Sequence, residues 1–458
     1  MARYQTTRRR LLKEVVCPHC WTAFAPEDVL WVAEELSLVG DDRLGDTERV
    51  RFLPTEYDEY GAPLDAKGYP CRDMACPKCH LKIPAPALDS PPLFMSIVGA
   101  PACGKSFYLA SSTWSLRRLL PANFLVNFTD ADPGMNHRLQ EYESLQFLNE
   151  GKGLVKIEKT EEQGDLYDAI RIDGQTIVLP QPFVFLASAA ANHPAADDPN
   201  SYSRMVCLYD NAGESYLPSN DLSSSPVTRH LAQSRCVFFL FDPTQDQRFR
   251  KEVVRRGGDA AAIEGSSPEI GRATLRQETV LAETIRRIRS LRHMTTNDRY
   301  ENLFIVVVSK ADVWAPLDPE LKRLLSKDPI SRTATSDAYG LRSDKIERAS
   351  AVTRNLLAAL TPEFVSAVEN FAQDVLYVPV SATGVAPSFD DGSNTSGFRV
   401  EDMRPMWAAA PMLYALRRLA SDLVKAGRVA KDDNTAPEPQ PAPNSFDAHA
   451  AVNLDKRG

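Results

Sequence analysis

No apolar run in this chain approaches the ~20 residues that a membrane-spanning helix needs. The longest, around Val237–Phe241 and Leu303–Val308, have the length of buried strands. No export leader is visible either. The N-terminus is basic (Arg3, Arg8, Arg9, Arg10), but Leu11–Leu12 gives way to Lys13 and Glu14 and not to an apolar stretch. Positive charge is not in excess: 53 Lys and Arg stand against 61 Asp and Glu, a net charge of −8. That balance excludes a chain built mainly to coat nucleic acid. The Arg8–Arg10 cluster permits a local nucleic-acid contact, but nothing else supports one. Cysteine is sparse after residue 80, with Cys103, Cys207 and Cys236 scattered singly. Without an export signal the chain reads as cytoplasmic, where a disulfide framework is not expected. No internal repeat is evident.

What is present is an ordinary globular composition, 43% apolar and 25% charged over 458 residues, enough for two or three domains. Five of the eight cysteines (Cys17, Cys20, Cys71, Cys76, Cys79) fall in the first 80 residues, and a Pro-rich stretch, Ile83–Pro92, follows as an expected extended linker. This divides the chain into a module over 1–90, an α/β domain over 91–426, and a Pro-rich tail over 427–458 expected to be disordered. Within the α/β domain, strands are expected at Leu93–Val98, Phe124–Phe128, Phe183–Leu186, Met205–Tyr209, Cys236–Phe241, Leu303–Val308 and Val375–Val380. Helices are expected at Arg276–Arg292, Asp344–Phe371 and through Leu413–Leu423, the first with Leu281, Ile285 and Ile288 on one face. The alternation predicts a mostly parallel central sheet.

The sharpest motif is Gly99-Ala100-Pro101-Ala102-Cys103-Gly104-Lys105-Ser106, a full Walker A pattern, followed by Phe107. It sits between an apolar strand and a helix, as its mechanism requires. The glycines let backbone N–H groups point at phosphate oxygens, Lys105 reaches the β- and γ-phosphates, and Ser106 supplies a Mg²⁺ ligand. A chance glycine turn is the competing explanation. For Cys103 a redox role and a small filler at a variable position both stand, the filler being favoured because nothing nearby marks the thiol as reactive.

Three further segments follow in order. Met205–Asp210 runs into Asn211-Ala212-Gly213-Glu214, a strand ending in Asp-x-x-Gly. Leu303–Val308 runs into Ser309-Lys310-Ala311-Asp312, and Val378–Val380 into Ser381-Ala382-Thr383. Together with the Walker A segment these resemble the motifs of Ras-like, TRAFAC-class P-loop GTPases, over roughly residues 93–385. The resemblance implies that Asp210 holds Mg²⁺ through water and that the Gly213 N–H meets the γ-phosphate. Ser309-Lys310-Ala311-Asp312 is similar to the family's Asn-Lys-x-Asp guanine motif, with Ser in the first place. A carboxylate at Asp312 accepts both the ring N–H and the exocyclic amine of guanine, a donor pair that adenine lacks, and the Lys310 stem covers the base plane. Ser381–Thr383 matches the last motif, whose backbone contacts the guanine carbonyl. For the switch threonine, Thr160 is favoured because a strand pair (Ala169–Ile172, Thr176–Leu179) follows it, with Thr129 as rival. Glu214 stands where Ras-type enzymes carry a water-orienting glutamine, so slow intrinsic hydrolysis is expected, with acceleration from a partner or a cis arginine such as Arg229. The gaps of 111, 99 and 72 residues between positions 99, 210, 309 and 381 imply large insertions.

Cys17-Pro18-His19-Cys20 and Cys76-Pro77-Lys78-Cys79 are two copies of a Cys-Pro-x-Cys knuckle. Two such knuckles complete a tetrahedral Cys₄ site for structural Zn²⁺, with a redox pair as the weaker reading and Cys71, His19 and His80 as spare ligands. The 55 residues between Cys20 and Cys76 are expected to hold a helix at Pro26–Leu36 and a loop. A zinc ribbon joined to a Ras-like domain resembles bacterial double-GTPase families of conflict or defence assemblies. That resemblance implies GTP, GDP, Mg²⁺ and Zn²⁺ as ligands and protein effectors as partners. Two alternatives stay open: a catalytically weak nucleotide-binding scaffold, and an ATP-dependent enzyme, which Asp312 disfavours.

Overall fold

In the computed structural model, the residues described are 11–149, 154–155, 167–172, 174–193, 203–210, 228–258, 277–333, 339–390 and 395–428. Seven apolar segments pair into one sheet: β1 (Pro92–Gly99), β2 (Val126–Asp130), β3 (Phe183–Ala189), β4 (Ser203–Asp210), β5 (Cys236–Phe241), β6 (Leu303–Val308) and β7 (Val375–Pro379). Their order is β2-β3-β4-β1-β5-β6-β7. The four pairings from β4 through β1, β5 and β6 to β7 are parallel, and β3 is antiparallel to both neighbours. Six strands therefore point the same way, and only β3 is reversed. All seven expected strands lie in this sheet, with Phe124 moved out into the turn before β2. Phe-rich β5 and Val-rich β6 are buried along their whole length, which is why they read as continuous apolar runs without alternation.

Seven helices of eight or more residues are described: α1 (Lys105–Leu119), α2 (His137–Phe147), α3 (Gln247–Arg255), α4 (Gln277–Leu291), α5 (Ser343–Leu360), α6 (Pro362–Phe371) and α7 (Ala410–Leu419). Helix α4 buries Val280, Leu281 and Ile288. The single helical region expected over Asp344–Phe371 is two helices, because Pro362 forces Thr361 out of the helical region and restarts the chain as α6. Helix α7 stops before Leu423.

The N-terminal module differs most from expectation. Two hairpins, Val15–Val16 with Ala23–Phe24 and Met74–Ala75 with Lys82–Ile83, carry the knuckles, and each runs into a 3₁₀ turn, Pro26–Asp28 and Ala85–Leu88. Residues 15–28 and 74–87 are thus two copies of one unit, a repeat hidden by almost complete divergence outside Cys-Pro-x-Cys. The helix expected over Pro26–Leu36 is that short turn and then a strand, Leu30–Val32, paired to Arg51–Phe52 and to Met74–Ala75. The β-branched and aromatic run Val29-Leu30-Trp31-Val32 prevails over helix propensity there. The Pro-rich segment is no extended spacer: it forms the 3₁₀ turn, buries Ala87, and accepts the Leu12 N–H at Leu88 O, 2.8 Å.

The module and the sheet share a core. Val15, Phe24 and Ile83 cluster with Phe94 of β1, Val184 of β3, and Met205, Cys207 and Tyr209 of β4. A strand pair, Tyr167–Ile172 with Gln175–Pro180, adds Ile170 and Leu179 to this cluster. The Arg171 N–H donates to Arg43 O of the module at 2.7 Å. At the other end of the chain, Gly427 and Arg428 are still bound, donating to Leu341 O and Arg332 O. No described helix is long and apolar enough to cross a membrane.

Candidate functional site

With six strands pointing one way, the loops that follow β1, β4, β5, β6 and β7 emerge at one edge of the sheet. The chain leaves β1 toward β2, β3 and β4 on one side and returns on the other through β5. Such a reversal opens a crevice outside the carboxyl ends of the strands. Every described candidate residue of the four sequence motifs lies at the last position of one of these strands, on the segment that follows it, or at the start of α1.

The loop Gly99–Gly104 makes the tight turn from β1 into α1. A Cβ on Gly99 would lie 2.8 Å from Cys103 Sγ and 2.9 Å from Leu240 O, so no side chain fits there. Gly104 has φ of 92°, which glycine adopts without strain, and Ala102 is left-handed too, at 59°. Lys105 opens α1 and folds back over the turn, its Nζ donating to Gly99 O at 3.0 Å and Ala100 O at 3.3 Å. Ser106 and Phe107 follow in the first turn of α1, half-buried. An anion seated at this turn meets a helix N-terminus and a lysine held in place by main-chain carbonyls. Cys103 is fully buried and burial pushes its thiol up, which fits the filler role and not a reactive one. Asp210 ends β4, 3% exposed and in register with Ile97 of β1.

The loops after β6 and β7 are tied to that turn. Ser309 Oγ donates to Cys103 O and to Phe241 O, both at 3.3 Å. Lys310 is left-handed, with φ of 54°, and its Nζ lies 2.6 Å from the buried Asp242 carboxylate. Asp312 is half-buried. Burial pushes its carboxyl above the usual carboxylate range, opposed by a hydrogen bond from Ser381 and by the charge of Lys310. Ala382 O accepts from Ser111 Oγ of α1 at 2.5 Å and from Gln146 Nε2 of α2 at 3.1 Å. Thr383 O accepts from the Arg404 N–H, and Ser381 is doubly bonded to Met406 through its backbone. The pieces at 99–106, 309–312 and 381–383 therefore form one hydrogen-bonded assembly.

Sequence reasoning missed Asp242. It is wholly buried at the end of β5, accepts from Thr244 N and Oγ1, and has its backbone clamped by the Gln277 amide, which accepts from Asp242 N at 2.7 Å and donates to Asp242 O at 2.8 Å. The signal was an acid directly after an all-apolar strand, Cys236–Phe241. Thr160, Gly213 and Glu214 lie outside the described residues. Thr129 sits within the edge strand β2, exposed, and Arg229 is exposed just before the short helix His230–Gln233.

The four knuckle cysteines converge. Cys17 Sγ lies 3.7 Å from Cys79 Sγ and Cys20 Sγ 3.7 Å from Cys76 Sγ, with all four sulfurs within 4.8 Å of one another. A zinc–thiolate tetrahedron with bonds of about 2.3 Å has an edge of about 3.8 Å, so the donors fit Zn²⁺. The His19 and Lys78 N–H groups donate to Cys17 and Cys76 Sγ, and Trp21 and His80, both left-handed, close the two turns. Burial pushes the Cys17 thiol up, and four thiolates packed this closely repel one another unless a cation sits among them. The spares lie elsewhere: the Cys71 thiol faces Tyr69 O, His19 Nε2 contacts Lys82 O, and His80 Nδ1 contacts Asp41.

No protein-family model matches the chain. Among curated proteins it is similar to the "Putative ESX-1 scaffolding and assembly protein SaeC" of Mycolicibacterium smegmatis, 27% identical over 279 residues. The match covers 54% of this chain and 64% of that protein, less than two thirds of the relative's length.

Proposed function

We propose that the chain is a guanine-nucleotide-binding switch of the Ras-like P-loop type that works within a multi-protein assembly. One observation carries this reading: the Gly99–Ser106 turn, Asp210, Ser309–Asp312 and Ser381–Thr383 share one sheet edge, and three of the four are hydrogen-bonded together. In this reading the turn and Lys105 hold the phosphates, Ser106 and Asp210 hold Mg²⁺, and Asp312 selects guanine. Mg²⁺ supplies charge neutralisation of the phosphates when bound. The Asp242–Lys310 pair fixes the lysine whose stem covers the base. Hydrolysis is slow and partner-stimulated, with Gly213, Glu214 and Thr160 as the residues assigned to the γ-phosphate. The Cys₄ knuckle holds structural Zn²⁺.

Titration calorimetry of the purified chain with GTP, GDP and ATP in Mg²⁺ tests the reading. Submicromolar GDP binding with ATP at least 100-fold weaker is the expected result; equal ATP binding overturns it. A second reading, a scaffold with feeble or no turnover, draws on the assembly role printed in the relative's name. Single-turnover GTP hydrolysis indistinguishable from that of Lys105→Ala, with binding intact in the wild type, favours the scaffold.

A further inference from the structure

Asp210 has a neighbour whose contacts run away from the nucleotide edge. Along β4 successive side chains alternate between faces: Val206 and Leu208 join the main core, whereas Met205, Cys207 and Tyr209 join the cluster shared with the N-terminal module. Tyr209 is fully buried. Its hydroxyl donates to Pro18 O at 2.5 Å and accepts from the Trp21 indole N–H at 2.9 Å. Pro18 lies between the clustered Cys17 and Cys20, and Trp21 follows Cys20 in the left-handed turn that closes the knuckle, its backbone N–H donating to Cys17 O at 3.0 Å. Both partners of the hydroxyl are therefore placed by the same turn that aims the thiolates. The ring of Tyr209 stacks on His230, with centroids 5.0 Å apart and planes 17° apart. A phenylalanine would fill this volume equally well, so the packing does not require the hydroxyl. What the hydroxyl adds is a two-sided tie from the knuckle to the residue before Asp210.

We propose that Tyr209 is a positioning residue: it carries the geometry of the zinc knuckle to Asp210, so that zinc occupancy sets how tightly Mg²⁺ and nucleotide are held. This rests on the nucleotide-switch reading above. One peptide bond separates the tied residue from the carboxylate, and β4 pairs in register with β1 up to Asp210–Ile97, two residues before the Gly99 turn. A shift of the Tyr209 end of the strand is therefore felt at Asp210 and at the mouth of the phosphate turn together. An empty knuckle frees Pro18 and Trp21 to move, and the strand end loses its anchor.

The test uses the zinc-loaded full chain as wild type, Tyr209→Phe and Trp21→Phe. Dissociation of a fluorescent GDP analogue is followed over a Mg²⁺ series, beside zinc content and amide hydrogen exchange of Ser203–Asp210. Tyr209→Phe is expected to keep one zinc per chain, raise the Mg²⁺ concentration needed for half-maximal nucleotide retention about tenfold, and leave release in EDTA unchanged. Trp21→Phe moves the midpoint in the same direction by less. A purely structural tyrosine lowers the melting temperature but leaves the Mg²⁺ midpoint where it was, and that result overturns the proposal. So does release accelerated equally with and without Mg²⁺. In nucleotide-free protein, at a temperature where circular dichroism reports both zinc-free chains still folded, zinc removal is expected to raise exchange across Ser203–Asp210 in the wild type and to add little in Tyr209→Phe; equal zinc responses in both also overturn it. A wild type that binds no GDP sinks the nucleotide reading instead, which separates the two failures.

Discussion

The Cys₄ knuckle and the loop-lined sheet edge gather their functional groups in opposite ways. The knuckle takes four identical ligands from two hairpins, each with two cysteines three residues apart, and closes both turns with a left-handed residue. The edge takes unlike groups from loops 72 to 111 residues apart in the chain, and only the strand order β4-β1-β5-β6-β7 brings them side by side. Each half of the first site is made by local geometry, whereas the second is made by topology alone. A local site stands or falls with its ligands. A topological one loses function piece by piece, each loop having its own partners.

The largest expected effect breaks the local site. Cys76→Ser removes one of four thiolates, and zinc content is expected to fall from one per chain to a small fraction of that. Structural zinc is worth about 10 kcal/mol or more in small modules, and the knuckle shares its core with β1, β3 and β4. The melting temperature of the whole chain is therefore expected to drop sharply, not that of a detached module alone. Metal analysis and calorimetry check it; a normal zinc content, or a loss of melting cooperativity confined to residues 11–90, breaks the comparison.

At the edge the effects are large on binding and small on stability. On the proposed reading Lys105→Ala removes the charge that meets the phosphates, and calorimetry is expected to show nucleotide affinity reduced by about 100-fold or more. The melting temperature is expected to change little, since the lysine contacts only its own turn's carbonyls among the hydrogen bonds described. Asp312→Asn comes next. It exchanges an acceptor for a donor, so competition binding is expected to show guanine preference reduced by about 100-fold and xanthine preference gained. Unchanged preference removes Asp312 from base recognition.

How much of this was legible in the sequence follows the same division. The seven strands were legible because each holds a short, mostly apolar run. The four clustered cysteines were legible because Cys-Pro-x-Cys repeats. The loop motifs were legible as patterns, but their hydrogen-bonded union through Ser309–Cys103 and Ser111–Ala382 was not, since no local pattern reports which strands lie adjacent. Asp242 was missed for that reason: its meaning comes from Lys310 across the sheet. The helix expected at Pro26–Leu36 failed because strand pairing with Met74–Ala75, over 40 residues away, decided its conformation. The Pro-rich stretch failed as a spacer because Ala87 packs into the shared core.

Between the two sites sits His230, fully buried, with Ser96 Oγ 2.5 Å from its Nδ1 and Tyr209 stacked on its ring. Burial lowers its pKa to about 3. The folded state therefore keeps the ring neutral while the unfolded chain takes up a proton below about 6.5. Its contribution to stability is complete above that value and is lost progressively as pH falls toward about 3, with a slope of at most about 1.4 kcal/mol per pH unit. Chemical denaturation between pH 7 and 5 is expected to show a shallower slope for His230→Gln than for wild type. Equal slopes show that the ring gains its proton in the fold.

The smallest effect contrasts cysteine with cysteine. Cys103 lies in the Gly99–Gly104 turn and shares burial with three of the four clustered cysteines, but no other thiol joins it in a metal-binding group among the described residues. Its Sγ occupies the space that Gly99 leaves open, and its carbonyl, not its thiol, receives Ser309. The backbone of the turn thus does the work assigned to this position, and Cys103→Ala keeps that backbone. The expected cost is about 1 kcal/mol of stability from a small cavity, with nucleotide affinity within about twofold of wild type. Under native conditions a thiol reagent is expected to leave Cys103 unmodified, because burial holds the thiol protonated. Rapid labelling with loss of nucleotide binding would reverse this assignment and give the topological site a redox control of its own. Absence of labelling leaves the lone cysteine as packing.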